Sequence, residues 1–195
     1  MNSSSLQSLQ EKVRGHVITA DHPDYDTARA VYNGMIDKRP AAVLQVSQVA
    51  DVITAVNFAR DEGMDVALRG GGHSAPGFGT CDGGLVIDFV NRRGVRVDPA
   101  SATARAETGA TWADFNHATN AFGLATTGGI IGSTGVAGLT LGAASAISRG
   151  NTACPATTSS PRTWSRRTEN SASPVPRKTM TCSGPSAAGP ETSGW

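Results

Sequence analysis

Long apolar runs are missing from this sequence: no stretch approaches the ~18 consecutive apolar residues that a membrane-spanning helix needs. The N-terminus MNSSSLQSLQEKVRGH is polar and has no apolar segment of the kind found in a secretory signal. A cytoplasmic protein without a membrane partner is therefore expected. Charge of one sign is also missing. Lys and Arg number 17 against 16 Asp and Glu, a net charge of +1, which argues against nucleic acid as a partner. Cysteine is scarce: Cys81, Cys154 and Cys182 are odd in number and widely spaced, form no CxxC pair, and read as free thiols. His16, His22, His73 and His117 show neither HExxH nor HxH spacing, so no metal site is expected. Nothing in the composition fixes an oligomeric state.

Leu, Ile, Phe and Tyr are all absent from residue 148 to the end, and six of the ten prolines fall there. The last 45 residues carry five basic and two acidic groups (+3), which leaves −2 for residues 1–150 and accounts for the net +1. Such a segment cannot bury enough apolar surface to fold, and it reads as a disordered low-complexity tail. Upstream of it, a chain of 195 residues with 38% hydrophobic content has room for one ordinary domain.

That part has the pattern of an α/β (α+β) protein. The apolar run 41–46 predicts a strand, Ser47 an N-cap, and Val49, Val52, Ile53 and Val56 a helix that Gly63 closes. Residues 65–69 return as a second strand, so this strand, helix, strand unit predicts parallel pairing. Residues 85–89, 94–98 and 102–107 alternate with period two and predict a small meander. Thr111 and Asp114 form a capping-box pattern ahead of a helix whose apolar face is Trp112, Phe115, Ala118 and Phe122, with Gly123 at its end.

Two glycine-rich segments carry the chemistry. In the first, Arg69-Gly70-Gly71-Gly72-His73-Ser74 follows an apolar strand, where successive glycines let the backbone turn and aim several N–H groups at one spot, as a pyrophosphate requires. Three glycines are equally compatible with a plain flexible turn. The spacing is neither GxGxxG nor GxxxxGK[ST]. Gly72-His73-Ser74 can also be read as a nucleophile elbow, a serine hydrolase using Ser74, but Pro76 stands where that motif needs its second glycine. His73 is open to two readings, a structural loop histidine or a nucleophile toward an electrophilic cofactor carbon.

The segment VALRGGGHSAPGFGTCDGGLVIDF, followed by GVRVDP, ARAETGATWADF and GLATTGGIIGSTGVAGLTLG, resembles the FAD-linked oxidases of the vanillyl-alcohol oxidase type, berberine-bridge-enzyme-like proteins above all. The resemblance begins near His22-Pro23-Asp24-Tyr25-Asp26, takes in Tyr32-Asn33 and Arg39-Pro40, and covers about 120 residues. It implies an incomplete FAD-binding domain of the p-cresol-methylhydroxylase (PCMH) type over 37–142, with two subdomains, after a lead-in over 1–36 and ahead of the tail at 143–195. It also implies that Gly70, Gly71, Gly72, His73 and Ser74 cradle the FAD pyrophosphate and that His73 bonds to the flavin 8α carbon. Gly129, Ser133, Gly135 and Gly138 match the family's second flavin-contacting stretch. Family members with two covalent links carry a cysteine where this sequence has Ile131, so His73 is the one expected attachment point, and Cys81 does not match that thiol.

The same resemblance implies a flavin-dependent oxidoreductase that takes hydride from a small molecule bearing a hydroxyl or an amine and is reoxidised by dioxygen. After Gly142 the resemblance stops. Read one base out of frame, however, residues 179–195 permit DDDLFWAIRGGAGNFGV, which resembles what the family carries further on. A frameshift after Gly142 is expected on this ground. It leaves a truncated cofactor-binding portion with no catalytic base, and an inactive remnant without stable flavin binding is the alternative.

Overall fold

Residues 3–142 are described by a computed structural model; the expectations for Cys154, Cys182 and the tail lie outside the described residues. The sequence pattern marks no element in residues 1–36, yet three lie there: α1 (Ser3–Lys12), β1 (His16–Thr19) and α2 (Tyr25–Arg29). They are followed by β2 (Ala42–Gln45), α3 (Val49–Asp61), β3 (Val66–Arg69), β4 (Leu85–Asp88), β5 (Val95–Asp98), β6 (Thr103–Ala106), α4 (Trp112–Asn120) and α5 (Val136–Leu141).

Four strands form one sheet in the order β1-β2-β4-β3, with β1 antiparallel to β2 and the other two pairings parallel. Strands β2 and β3 run parallel as their helical crossover predicts, but β4 lies between them and pairs with both. The predicted meander therefore does not form. All four residues of β4 are buried, so it takes a central position, while β5 and β6, with at most half-buried residues, make a separate antiparallel hairpin.

Side-chain alternation splits the core between the two faces of the sheet. On one face Val17, Leu44, Leu85 and Ile87 pack with Leu6 and Leu9 of α1, with Val13 just beyond its end, and with Ala55 and Ala59 of α3. On the other, Ile18, Val43, Ala67 and Val86 pack under Tyr25 and Ala28 of α2. The Tyr25 hydroxyl donates to the Pro40 carbonyl (2.6 Å), so its polar end is satisfied inside this layer.

The cap of α3 sits one residue beyond the expected Ser47, at Gln48. The reason is Asp51, 1% exposed, whose carboxylate accepts the backbone N–H groups of Arg14 (3.0 Å), Ser47 (2.9 Å) and Gln48 (3.1 Å). Val52 packs on the core, but Val49, Ile53 and Val56 of the same apolar set are exposed and form a stripe on the outer side of the helix.

Helix α4 has the expected capping box between Thr111 and Asp114. Trp112 is buried and meets Phe115 edge to face, but Phe122 is 52% exposed, contrary to its expected place on the buried face. Helical spacing stops placing side chains where the helix ends, and this helix ends at Asn120. Gly123, at φ +67°, reverses the chain so that the Leu124 N–H returns to the Thr119 carbonyl.

Candidate functional site

Strand β3 delivers the glycine run at its C-terminal end. Arg69 and Asp88 are direct partners in the parallel ladder and both point to the α2 side of the sheet, where they form a buried ion pair (2.8 Å). The guanidinium also donates to the carbonyls of Ala28 and, at 3.2 Å, Ala30, which ties the end of α2 to the start of the glycine loop. A buried arginine with these acceptors has its charge and its donors compensated together.

Beyond Arg69 the backbone passes so close to the second glycine segment that side chains are excluded at both. A Cβ on Gly71 would lie 2.3 Å from the Gly135 nitrogen, and one on Gly135 would lie 2.5 Å from the Gly71 nitrogen. Gly72 follows at φ +72°, a conformation that favours glycine. Gly135 is held there by an isolated bridge to Thr111 and by bonds on either side, Trp112 N–H to the Thr134 carbonyl (3.0 Å) and Val136 N–H to the Ala110 carbonyl (2.9 Å). The capped start of α4 thus anchors the second segment against the first.

His73 sits at this junction. Its Nε2 lies 3.0 Å from the Ser133 hydroxyl and its Nδ1 3.4 Å from the Thr134 hydroxyl, while the Tyr32 ring stacks on the imidazole with centroids 3.9 Å apart and planes 17° from parallel. Exposed Tyr32, Ile130 and Ile131 lend this region an apolar, open character. A cleft of about 460 Å³ runs along Gly70–Gly72, lined also by His16, Asp24, Tyr32, Gln45 and Arg69.

Among the predicted site residues, Gly70, Gly71, Gly72, His73, Ser133 and Gly135 come together. At Gly129 a Cβ would strike the Trp112 ring, 2.8 Å away, so packing against indole accounts for its glycine. That indole N–H is buried without a partner among the described residues. Gly138 lies on α5 facing open space. The Ser74 hydroxyl accepts the Phe78 N–H (3.1 Å), and the chain after it runs through turns with no helix before β4, which removes the elbow geometry a serine nucleophile needs.

Sequence reasoning assigned no role to Tyr32, Thr134 or the Arg69–Asp88 pair. The ladder register could have pointed to that pair, but Tyr32 is 41 positions from His73 and no local signal joins them. Cys81 is half-buried, and burial pushes its thiol pKa up, away from a reactive thiolate. Among the described residues no group of three or more metal-ligating side chains exists, and no helix is long and apolar enough to cross a membrane.

Residues 40–154 match the family described as FAD binding domain. The chain is 31% identical over 138 residues to (R)-6-hydroxynicotine oxidase of Paenarthrobacter nicotinovorans, covering 71% of this chain and 30% of that protein. It is 40% identical over 112 residues to the FAD-linked oxidoreductase hasG of Aspergillus fumigatus, covering 57% and 24%. Among solved structures, the wild-type BBE-like 1 protein of Physcomitrella patens superposes with a TM-score of 0.65 at 29% identity, over 70% of this chain and 30% of that one. The chain spans about three tenths of the length of the curated relatives it matches. The mixed α/β architecture is that of PCMH-type FAD-binding proteins, and the mutual exclusion of side chains at Gly71 and Gly135 brings the loop that carries His73 directly against the second glycine segment.

Proposed function

This chain belongs to the FAD binding domain family, and on that premise we propose that it holds FAD at the junction of its two glycine segments, as the cofactor-binding portion of an oxidoreductase. The observation that carries the reading is the joint placement of Gly71 against Gly135 and of His73 against Ser133. Backbone N–H groups of Gly70–Gly72 and the turn closed by Ser74 bind the pyrophosphate, and His73 is the covalent anchor. Ser133 orients the anchor, and Gly135 lets the second segment approach. When bound, FAD supplies a two-electron acceptor for oxidation of a hydroxyl- or amine-bearing small molecule, with dioxygen as the terminal oxidant. No residue of this chain is assigned as a general base.

The test is incubation of the purified full chain with FAD, followed by removal of free cofactor and acid precipitation. Flavin retained before precipitation supports the binding site, and flavin retained in the pellet supports the covalent anchor. His73→Ala is expected to keep the first and lose the second. A chain that retains no flavin at all overturns the reading in favour of a remnant. That alternative draws on the exposed stripe of Val49, Ile53 and Val56, an apolar face with no cover among the described residues. We also read residues 143–195 as translated out of frame; if sequencing of the template across the codons for Leu141 to Ala146 restores the family's glycines there, the working protein is a full-length flavin oxidase, and if it confirms the present frame, the chain is a truncated FAD-binding fragment.

A further inference from the structure

We propose that Tyr32 and Asn33 form a strap that presets the His73 imidazole for attachment to flavin, with Tyr32 as a positioning residue; this rests on the FAD reading above. The strap meets the loop at both ends of His73. The Tyr32 N–H donates to the Gly72 carbonyl (3.1 Å), and the Asn33 side-chain amide donates to the Ala75 carbonyl (3.0 Å). Between these two bonds the Tyr32 ring lies flat on the imidazole at 3.9 Å.

Two different restraints therefore act on one ring. The Ser133 and Thr134 hydroxyls engage its nitrogens and limit rotation in its own plane, while Tyr32 covers one face and limits tilting out of that plane. The opposite end of the strap is also fixed, because Arg69, held by Asp88, donates to the Ala28 and Ala30 carbonyls immediately upstream. Tyr32 is 70% exposed, so core packing does not account for its position; its contacts are with the loop that carries His73.

Orientation matters for this chemistry because a bond between a ring nitrogen and a carbon forms only from an aligned approach. The joining is a net oxidation. A C–N bond forms between imidazole and the 8α carbon, the imidazole N–H and one 8α C–H are given up, and the two protons and two electrons pass to dioxygen, giving hydrogen peroxide. Tyr32 takes no part in that exchange; it fixes the direction from which the nitrogen faces its partner.

The experiment compares wild type, Tyr32→Phe, Tyr32→Ala and Asn33→Ala as full chains. One readout needs no flavin: the His73 ring protons in NMR spectra of the free chain are expected upfield, shielded by Tyr32, and to move downfield in Tyr32→Ala but not in Tyr32→Phe. The other is the rate at which acid-stable flavin accumulates, expected to fall on the order of tenfold to a hundredfold in Tyr32→Ala and Asn33→Ala and to be restored by Tyr32→Phe. Unshielded His73 protons in wild type overturn the strap whatever the flavin does. Wild-type attachment with an unchanged rate in Tyr32→Ala overturns it while leaving the FAD reading standing. Failure of wild type to take up flavin overturns both.

Discussion

The strictest demands in this molecule fall on single residues whose surroundings leave them no freedom. Gly71→Ala would place a methyl 2.3 Å from a backbone nitrogen of Gly135, a contact that no rotamer relieves. The two segments must then part, and we expect loss of flavin retention together with destabilisation of about 1–3 kcal/mol, the range for overpacking. Denaturant titration beside a flavin-retention assay checks both. At Asp88 the expected cost is larger. Asp88→Ala leaves the Arg69 guanidinium buried without its counter-charge, and breaking a buried pair in this way costs about 3–5 kcal/mol. An unfolding midpoint within error of wild type would contradict that account. Because Arg69 also holds the Ala28 and Ala30 carbonyls, the same variant should disturb the shielding of His73.

Elements bring a different dependence, on pH. Helices α3 and α4 both start from capping boxes closed by an aspartate. Burial opposes ionisation at Asp51, yet the N–H groups of Arg14, Ser47 and Gln48 outweigh it and hold the carboxyl below its ordinary value. Asp114 behaves alike: burial opposes ionisation, and Thr111 and then Arg93 reverse its effect. A carboxyl whose pKa is lower folded than unfolded stabilises the fold above its unfolded value of about 3.9 and loses that contribution as pH falls through the folded value. Stability should therefore decline from about pH 4 downward, and Asp114→Asn should flatten part of that decline. Thr111→Ala, which removes the reciprocal cap, is expected to cost about 1 kcal/mol and to loosen the Gly135 bridge beside it. Circular dichroism melts across pH 2–7 check the acid limb, and an unchanged limb in Asp114→Asn would count against this cause.

Across the whole molecule, the site lies where a four-stranded sheet and a hairpin-plus-helix unit meet through two glycine segments. A ligand bound there binds only the assembled state, so FAD should raise the stability of the full chain by about 2.7 kcal/mol when present at a hundred times its dissociation constant. A melting temperature that does not move with FAD concentration would argue for the remnant. The outer faces are less finished than the junction. Besides the stripe on α3, the edge strand β3 exposes Val66 and Leu68, on the face that α3 covers only over the neighbouring strands.

The sequence alone determined the strands at 41–46, 65–69 and 85–89, the capping box at Thr111 and Asp114, and the glycine run that follows β3. These follow from rules that act over a few residues: apolar runs, side-chain caps, and the backbone freedom of glycine. Strand order was decided by the tertiary structure, because β4, buried along its length, takes the central place that spacing along the chain had left to β2 and β3. So were the two faces of α3, since the valines and isoleucine that mark the helix by periodicity are partly turned to solvent while alanines meet the sheet. The environment of His73 depended on it most. Tyr32, Ser133 and Thr134 reach that ring from 41, 60 and 61 positions away in the sequence, and only the folding of two segments onto one loop gives them a common neighbour.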